Sequence, residues 1–469
     1  MLKNEPIIAL ATPNGIGAIA VIRLSGNEVI NIVDNHFESV SGKQLKVQPS
    51  HSINLGYIKN DDNIIDQVLV SIFKNPQSYT GEDVVEISCH GSTYVQQAII
   101  QLFLDNGVKM ADPGEFTLRA FLNGKFDLSQ AEAVADLIAS DSSASHQLAL
   151  QQMRGGFSTE IENLRKELVN FASLIELELD FSEEDVDFAN RKDFKILIEK
   201  IKRVLRQLID SFAQGNVLKN GIPIAIIGEP NVGKSTLLNA LLKEEKAIVS
   251  HIPGTTRDAI EDDIILNGVR YRFIDTAGIR ETSDYVESIG IQKTYEKSAT
   301  AKLIVYLFDT SIIKRTGESK IEYLLGLVDK EFQKIKKRFS DKEIIMIGNK
   351  IDLLSDAELK AVTKKFKNAL LISATDNKNI EKLIEKFANL VNIGILRDDQ
   401  TIVSNSRHYD ALSKAFTAIE QVQNGIENNL SSDLLSIDVK EALYHLGLIS
   451  AVTSDELLGN IFANFCIGK

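Results

Sequence analysis

Gly228-Glu229-Pro230-Asn231-Val232-Gly233-Lys234-Ser235 has the G-x-x-x-x-G-K-[ST] spacing of a loop that wraps phosphate. Its glycines let backbone N–H groups close around phosphate oxygens, and a following helix N-terminus adds a favourable dipole. In that chemistry Lys234 neutralises the outer phosphates, Ser235 ligates Mg²⁺, and Asn231, Val232, Gly233 and Thr236 complete the cradle. Taken alone, the loop does not separate ATP from GTP, and a chance glycine-rich turn is its plain alternative.

Three later segments narrow the choice. Asp275-Thr276-Ala277-Gly278 offers an aspartate near Mg²⁺ and a glycine N–H for the γ-phosphate. Asn349-Lys350-Ile351-Asp352 places a carboxylate that can accept from guanine N1–H and N2–H₂, a pattern adenine does not present. Ser373-Ala374-Thr375 can donate a backbone N–H to guanine O6. Together the segments resemble the translation-factor-like GTPases. The last motif ends in Thr375 where that group more often has Lys, a small change for a contact made by backbone. Where many GTPases place a water-orienting Gln after the Asp-x-x-Gly segment, this chain has Ile279, so hydrolysis needs another device.

Positioning these segments requires alternating strands and helices. Apolar runs Ile224–Ile227, Arg270–Ile274, Ile344–Ile347 and Leu370–Ile372 precede the four motifs, and Thr236–Leu242 reads as a helix. The pattern holds from Ile222 to about Val391. Before it, Ile161, Leu164, Leu168, Phe171, Ile175 and Leu179 form one helical stripe, and Phe194, Leu197, Ile201, Leu205, Leu208 and Phe212 another. Ser129 with Glu132 reads as a capping box. After it come Ile402, Tyr409, Leu412, Ala415, Phe416 and Ile419, then Val439, Leu443 and Leu446, then a helix capped by Thr453 with Glu456. The first part reads as α+β: strands at Ile7–Ala11, Ala18–Leu24, Ile53–Ile58, Val68–Phe73 and Val84–Ser88, with helices through Val29–Phe37 and Val95–Phe103. The expected fold is therefore multidomain α/β and α+β. An α+β domain spans 1–123, and a GTPase domain spans 219–391 within a helical domain of 124–218 and 392–469.

Bulk composition agrees. The chain has 469 residues, 44% hydrophobic and 25% charged, an ordinary globular balance. A net charge of −13 argues against a bulk nucleic-acid binder. The basic runs at Lys334–Arg338 and Lys360–Lys367 read as solvated helix faces. Two cysteines give neither a disulfide framework nor a zinc site. With no signal-like start and no run long enough to span a bilayer, the expected location is the cytoplasm. Gly15 and Gly17 lack the third glycine of a dinucleotide loop. Adjacent strand residues Cys89 and His90 point to opposite faces, so Cys89 reads as packing.

Gly254-Thr255-Thr256-Arg257-Asp258, Asn231 and the tail Phe465-Cys466-Ile467-Gly468-Lys469 closely resemble the MnmE (TrmE) family of tRNA-modification GTPases, over the whole chain. The resemblance implies a homodimer whose amino-terminal domain pairs and binds a tetrahydrofolate derivative, 5-formyl- or methylene-tetrahydrofolate. It also implies a flavin-dependent partner, MnmG (GidA), which carries the FAD. Together they act on the wobble uridine of tRNA, adding a (carboxymethyl)aminomethyl group at carbon 5, without a membrane.

Residue by residue, Thr256 would complete the Mg²⁺ site begun by Ser235. Asn231, Ser250, Ile252 and Thr255 would hold K⁺, with His251, Pro253 and Gly254 in the same nucleotide-binding loop. Glu287 would orient the attacking water, answering Ile279. Arg23, Glu82, Lys125 and Lys469 would bind folate, and Cys466 would act catalytically. Each acid or base also has a plain reading as a surface charge. A regulatory GTPase of ribosome assembly or signalling, with flanking domains that only bind partners, is the alternative. A dynamin-like membrane remodeller is weaker, since no lipidation site or basic amphipathic stretch is present.

Overall fold

The fold is described from a computed structural model covering residues 5–180, 191–243, 248–249, 262–274, 298–314, 317–391, 401–428, 430–451, 455–463, 465 and 468. The chain divides into two compact units: residues 1–138, 150–207 and 407–469, and residues 139–149 and 208–406.

The first unit opens with a seven-stranded sheet in the order β3-β4-β5-β6-β2-β1-β7. Its strands are β1 (Ile7–Leu10), β2 (Ile19–Ser25), β3 (Phe37–Ser39), β4 (Ser52–Asn60), β5 (Asn63–Phe73), β6 (Val84–His90) and β7 (Lys109–Met110). All neighbours pair antiparallel except β1 with β7. Alternating residues Ala20, Ile22 and Leu24 of β2, with Val85, Ile87 and Cys89 of β6, face one core with Ile99 and Phe103 of helix α2 (Thr93–Asp105). Helix α1 (Val29–Asp34) is shorter than expected: Phe37 belongs to β3, where its ring fills the space left by Gly56 on the paired strand β4.

The helices are α3 (Glu115–Leu122), α4 (Leu128–Ala139), α5 (Ser143–Met153), α6 (Gly156–Asp180) and α7 (Arg191–Asn220), of which most of α5 and the end of α7 belong to the second unit. The expected stripe of α6 is buried at Ile161, Leu164, Leu168, Phe171 and Ile175, and Phe171 stacks on Phe194 of α7 at 3.4 Å. Helix α4 is capped differently from expectation. Asp127 Oδ1 accepts the Gln130 N–H at 2.8 Å, and Gln130 Oε1 accepts the Asp127 N–H at 3.0 Å. Ser129 lies inside the helix, and Glu132 is drawn away to Arg407 and His408. Among the later helices, Leu412, Ala415 and Ile419 are buried as expected, whereas Tyr409 is exposed and Ile402 precedes its helix.

The second unit is a seven-stranded sheet ordered β14-β13-β12-β8-β11-β10-β9. Strands β8 (Ile222–Ile227), β11 (Val269–Ile274), β12 (Leu303–Asp309), β13 (Glu343–Asn349) and β14 (Leu370–Leu371) run parallel. Strands β10 (Asp262–Leu266) and β9 (Ile248–Val249) add antiparallel at one edge. Near-continuous apolar runs such as Leu303–Phe308 fit strands covered on both faces. One face carries the core of Ile224, Val305 and Ile347 with Leu237, Leu241 and Phe387, and the other that of Tyr306, Phe308 and Met346 with Leu325 and Val362. Among the described residues, no helix is long and apolar enough to cross a membrane.

Candidate functional site

At the carboxyl ends of the parallel strands, three loops meet. Strand β8 runs into the phosphate loop, and α8 (Lys234–Lys243) starts directly behind it. Asn231 (φ 62°) and Gly233 (φ 97°) both take left-handed backbone, which turns consecutive N–H groups inward. Glycine is required for space as well. A Cβ on Gly233 would lie 2.4 Å from Asn349 Nδ2, and one on Gly228 would lie 2.2 Å from the Leu307 carbonyl. Lys234 folds back so that Nζ donates to the Gly228 carbonyl at 2.7 Å, which places its charge over the loop. Ser235 and Thr236 are exposed in the first turn of α8.

The guanine-reading segment locks onto this loop. Asn349 ends β13 and is buried. Its Nδ2 donates to the Val232 carbonyl at 2.9 Å, and its Oδ1 accepts the Ala374 N–H at 3.0 Å. Asn349 thereby ties the phosphate loop to the Ser373-Ala374 loop. Lys350 has left-handed backbone, and its ammonium donates to the Asn231 carbonyl and to Asp309, each at 2.6 Å. Asp352 is exposed, and its Oδ1 accepts the Ser373 hydroxyl at 2.6 Å, leaving carboxylate capacity for a ligand. Hydrogen bonds thus join Asn231, Val232, Asn349, Lys350 and Ala374 and join Asp352 to Ser373, with Gly233 and Lys234 in the same phosphate loop. Sequence reasoning missed Asp309 and Thr310, whose Oγ1 donates to the Asn349 carbonyl at 2.7 Å. The available signal was an acid closing the apolar run Leu303–Phe308 at the same edge as the motifs. Ser250, His251, Ile252, Pro253, Gly254, Thr255, Thr256, Asp275, Thr276, Ala277, Gly278, Glu287, Cys466 and Lys469 lie outside the described residues.

A second constellation lies in the first unit. Arg23 faces Glu86 across β2 and β6, and its Nε and Nη2 approach Glu86 Oε1 at 2.9 and 2.7 Å. Its guanidinium lies over the rings of Tyr79 and Phe116, 5.3 and 5.8 Å from their centroids. Two residues on, Ser25 donates to Glu82 Oε2 at 2.8 Å. Arg119 is buried and holds Glu82 at 3.1 Å and Glu115 at 2.7 Å. Lys125 donates to the Pro76 carbonyl at 2.7 Å and lines an open cavity of 550 Å³ with His51, Phe73, Gln77, Ser78 and Tyr79. Arg23, Glu82 and Lys125 share no hydrogen bond or ion pair with one another; Tyr79 and Ser25 connect their surroundings. Burial pushes the Tyr79 phenol above its usual range, against Thr117 and Arg23. Gly468 seats its carbonyl 3.5 Å from Arg23 Nη1, and a Cβ on it would strike the Leu10 carbonyl at 2.4 Å. Glu86, Arg119 and Tyr79 were not anticipated; a lone arginine in the apolar helix Phe116–Leu122 was the available signal.

Cys89 is buried, and burial together with Asp66 pushes its thiol up to about 11. His90 turns the other way, to Asp66 at 2.7 Å. Among the described residues, no cluster of His, Cys, Asp and Glu could hold a metal ion.

A parallel sheet with a phosphate loop and a carboxylate-bearing strand end knitted to it defines a P-loop guanine-nucleotide domain. Residues 128–466 match the MnmE helical domain family, and residues 6–125 match the GTP-binding protein TrmE N-terminus family. The tRNA modification GTPase MnmE of Flavobacterium psychrophilum is 59% identical over all of this chain and all of its own. That of Flavobacterium johnsoniae is 58% identical over the same shares, and that of Bacteroides thetaiotaomicron 48%. Among solved structures, the G domain of the T. maritima FeoB iron transporter is similar at TM-score 0.23 and 24% identity, covering 36% of this chain and 97% of that one. The chain belongs to the MnmE family of tRNA modification GTPases.

Proposed function

We propose that the protein is the GTP-hydrolysing subunit of an enzyme that modifies the wobble uridine of tRNA. Working as a homodimer with the flavin-dependent MnmG, it adds a (carboxymethyl)aminomethyl group at carbon 5 from a tetrahydrofolate one-carbon unit. The full-length identity to relatives named tRNA modification GTPase carries this reading. The division into an amino-terminal domain (1–123), a helical domain (124–218 and 392–469) and a GTPase domain (219–391) belongs to the same proposal.

The residues suit the groups the reading requires. For GTP, two left-handed positions and two glycines that admit no Cβ leave a cradle of N–H groups, with Lys234 above it and Asp352 open to a base edge. Ser235, with Thr256, would hold Mg²⁺, which supplies positive charge to the transferring phosphoryl oxygens. Asn231, with Ser250, Ile252 and Thr255, would hold K⁺, and Glu287 would orient water. Equal turnover in sodium and potassium buffers would remove the potassium assignment. For folate, Arg23, over two rings and paired with Glu86, suits a flat pterin edge together with Glu82, and Lys125 suits its carboxylate tail. Gly468 beside Arg23 supports a tail in which Cys466 and Lys469 act at that site.

The test is mass spectrometry of tRNA nucleosides from cells lacking the gene, complemented with wild type or Cys466→Ser. Loss of the 5-substituted wobble uridine, restored only by wild type, is the expected result. Unchanged nucleosides on deletion would leave a GTPase with another task.

A further inference from the structure

Asp309 is the last residue of β12 and the register partner of Asn349 on β13, so it stands beside the guanine-reading segment. Its carboxylate is divided between two tasks. Oδ1 accepts the Ser311 N–H at 2.8 Å and the Ser311 hydroxyl at 2.7 Å, capping the short 3₁₀ turn Thr310–Ile313. Oδ2 takes the Lys350 ammonium at 2.6 Å, and the same ammonium reaches the Asn231 carbonyl of the phosphate loop at 2.6 Å. Lys350 needs such a hold. Its backbone is left-handed (φ 68°), a strained conformation for a side-chain-bearing residue, and its long stem has many rotamers to lose. The cap on Ser311 fixes the carboxylate, and the carboxylate fixes the lysine.

We propose that Asp309 is a positioning residue for guanine nucleotide. By anchoring Lys350 against Asn231, it keeps the base-reading segment and the phosphate loop in one register before nucleotide arrives. The inference rests on the reading of this site as a guanine-nucleotide site. It assigns Asp309 no contact with the nucleotide; its effect passes through Lys350.

Titration of the full chain with fluorescent mant-GDP, alongside steady-state GTP hydrolysis, tests it. Asp309→Asn keeps an acceptor for the Ser311 cap and removes the charge facing Lys350. It should weaken GDP binding about tenfold, as loss of a partly shielded charged hydrogen bond would. KM should rise in step, with kcat within about twofold of wild type. In the Lys350→Met background, Asp309→Asn should add nothing. Asp309→Glu should recover part of the affinity, and Ser311→Ala, which removes one of the two bonds to Oδ1 and leaves the Ser311 N–H in place, should weaken GDP binding by less than Asp309→Asn does. Wild-type affinity in Asp309→Asn, full additivity with Lys350→Met, or equal losses in the Glu and Asn variants would overturn the proposal. Failure of the wild-type chain to bind GDP would instead remove the nucleotide reading, and this inference with it.

Discussion

The nucleotide end of the second unit and the ion clusters of the first solve the same problem, holding polar groups in place, by opposite means. The nucleotide end is mostly main chain: left-handed turns at Asn231, Gly233 and Lys350, strand ends in parallel register, and side chains such as Asn349 that bond to backbone. The first unit relies on side chain against side chain across long sequence separations: Arg23 with Glu86, Arg119 with Glu82, and Glu132 with Arg407 and His408. Backbone geometry demands particular residues at particular spacings, so it leaves a motif. A charge network demands only that opposite charges meet after folding, so it leaves none. The two regions should therefore fail differently. Substitutions at the nucleotide end should remove turnover from a folded chain, and substitutions in the charge networks should loosen the fold around them.

The largest effect is expected at Lys234. Its ammonium sits on the Gly228 carbonyl, over the loop where phosphate charge would gather. Lys234→Ala should lower GTP turnover on the order of 100-fold or more, by the loss of a fixed positive group from a phosphoryl-transfer site. Thermal melting should stay near wild type. A folded Lys234→Ala chain with turnover within a few-fold of wild type would break the contrast at its strongest point.

Glu132 is the matching test in the first unit. It receives Arg407 through two bonds of 2.9 Å and faces His408 Nε2 at 2.8 Å, nearly out of solvent. Burial alone would raise its carboxyl, but the bonds and charges of His408 and Arg407 outweigh that and lower it to about 2. The unfolded value is about 4.5. A depressed acid stabilises fully above its unfolded pKa and loses that contribution as pH falls through the folded one. About 3 kcal/mol should therefore be present at neutral pH and disappear between pH 4.5 and 2. Arg407→Ala should cost a similar amount at pH 7, since it leaves a carboxylate with half its partners. Urea unfolding across this pH range checks both. A slope between pH 4.5 and 2 that is unchanged in Glu132→Gln would show that the cluster does not govern acid stability.

A smaller effect is expected at Arg23, whose planar group is held by Glu86 and lies over two aromatic rings. Lysine would keep the charge and lose the fork and the flat face. Arg23→Lys should weaken binding of 5-formyltetrahydrofolate to the full chain about tenfold by calorimetry, the size of one charge-assisted hydrogen bond. An unchanged affinity would detach Arg23 from the folate reading.

Legibility in the sequence follows the same divide. The strands before each motif, the phosphate loop and the guanine-reading segment could be read directly, because a period of two and a fixed glycine spacing are local signals. The stripes of α6 and α7 could be read because burial on one helix face repeats every three to four residues. Arg119 and Asp309 could not be read that way. The residue types were visible, but the partner that gives each its role lies 37 residues away for Arg119 and 41 for Asp309, and no single-sequence pattern carries that pairing. Phe37 reads as helical for a related reason: its apolarity fits either period, and Gly56 on β4 decides the matter.

The start of α4 offers the finest test of how local signals are overruled. Ser129 and Glu132 have capping-box spacing, yet Asp127 and Gln130 form the reciprocal pair two residues earlier. Both pairs have the right chemistry. Tertiary context selects between them, because Glu132 is held by Arg407 and His408 and so does not reach back to the start of the helix. Ser129 is then left inside the helix with a buried hydroxyl that finds no hydrogen-bond partner among the described residues. Asp127→Ala should accordingly cost about 1 kcal/mol, the usual worth of an N-cap. Ser129→Ala should cost less than half of that, or stabilise slightly by removing an unsatisfied group. The two variants can be compared by urea midpoint at pH 7. If Ser129→Ala proved the more damaging, the serine would be the working cap, and Glu132 would have to serve both the helix start and the ion cluster.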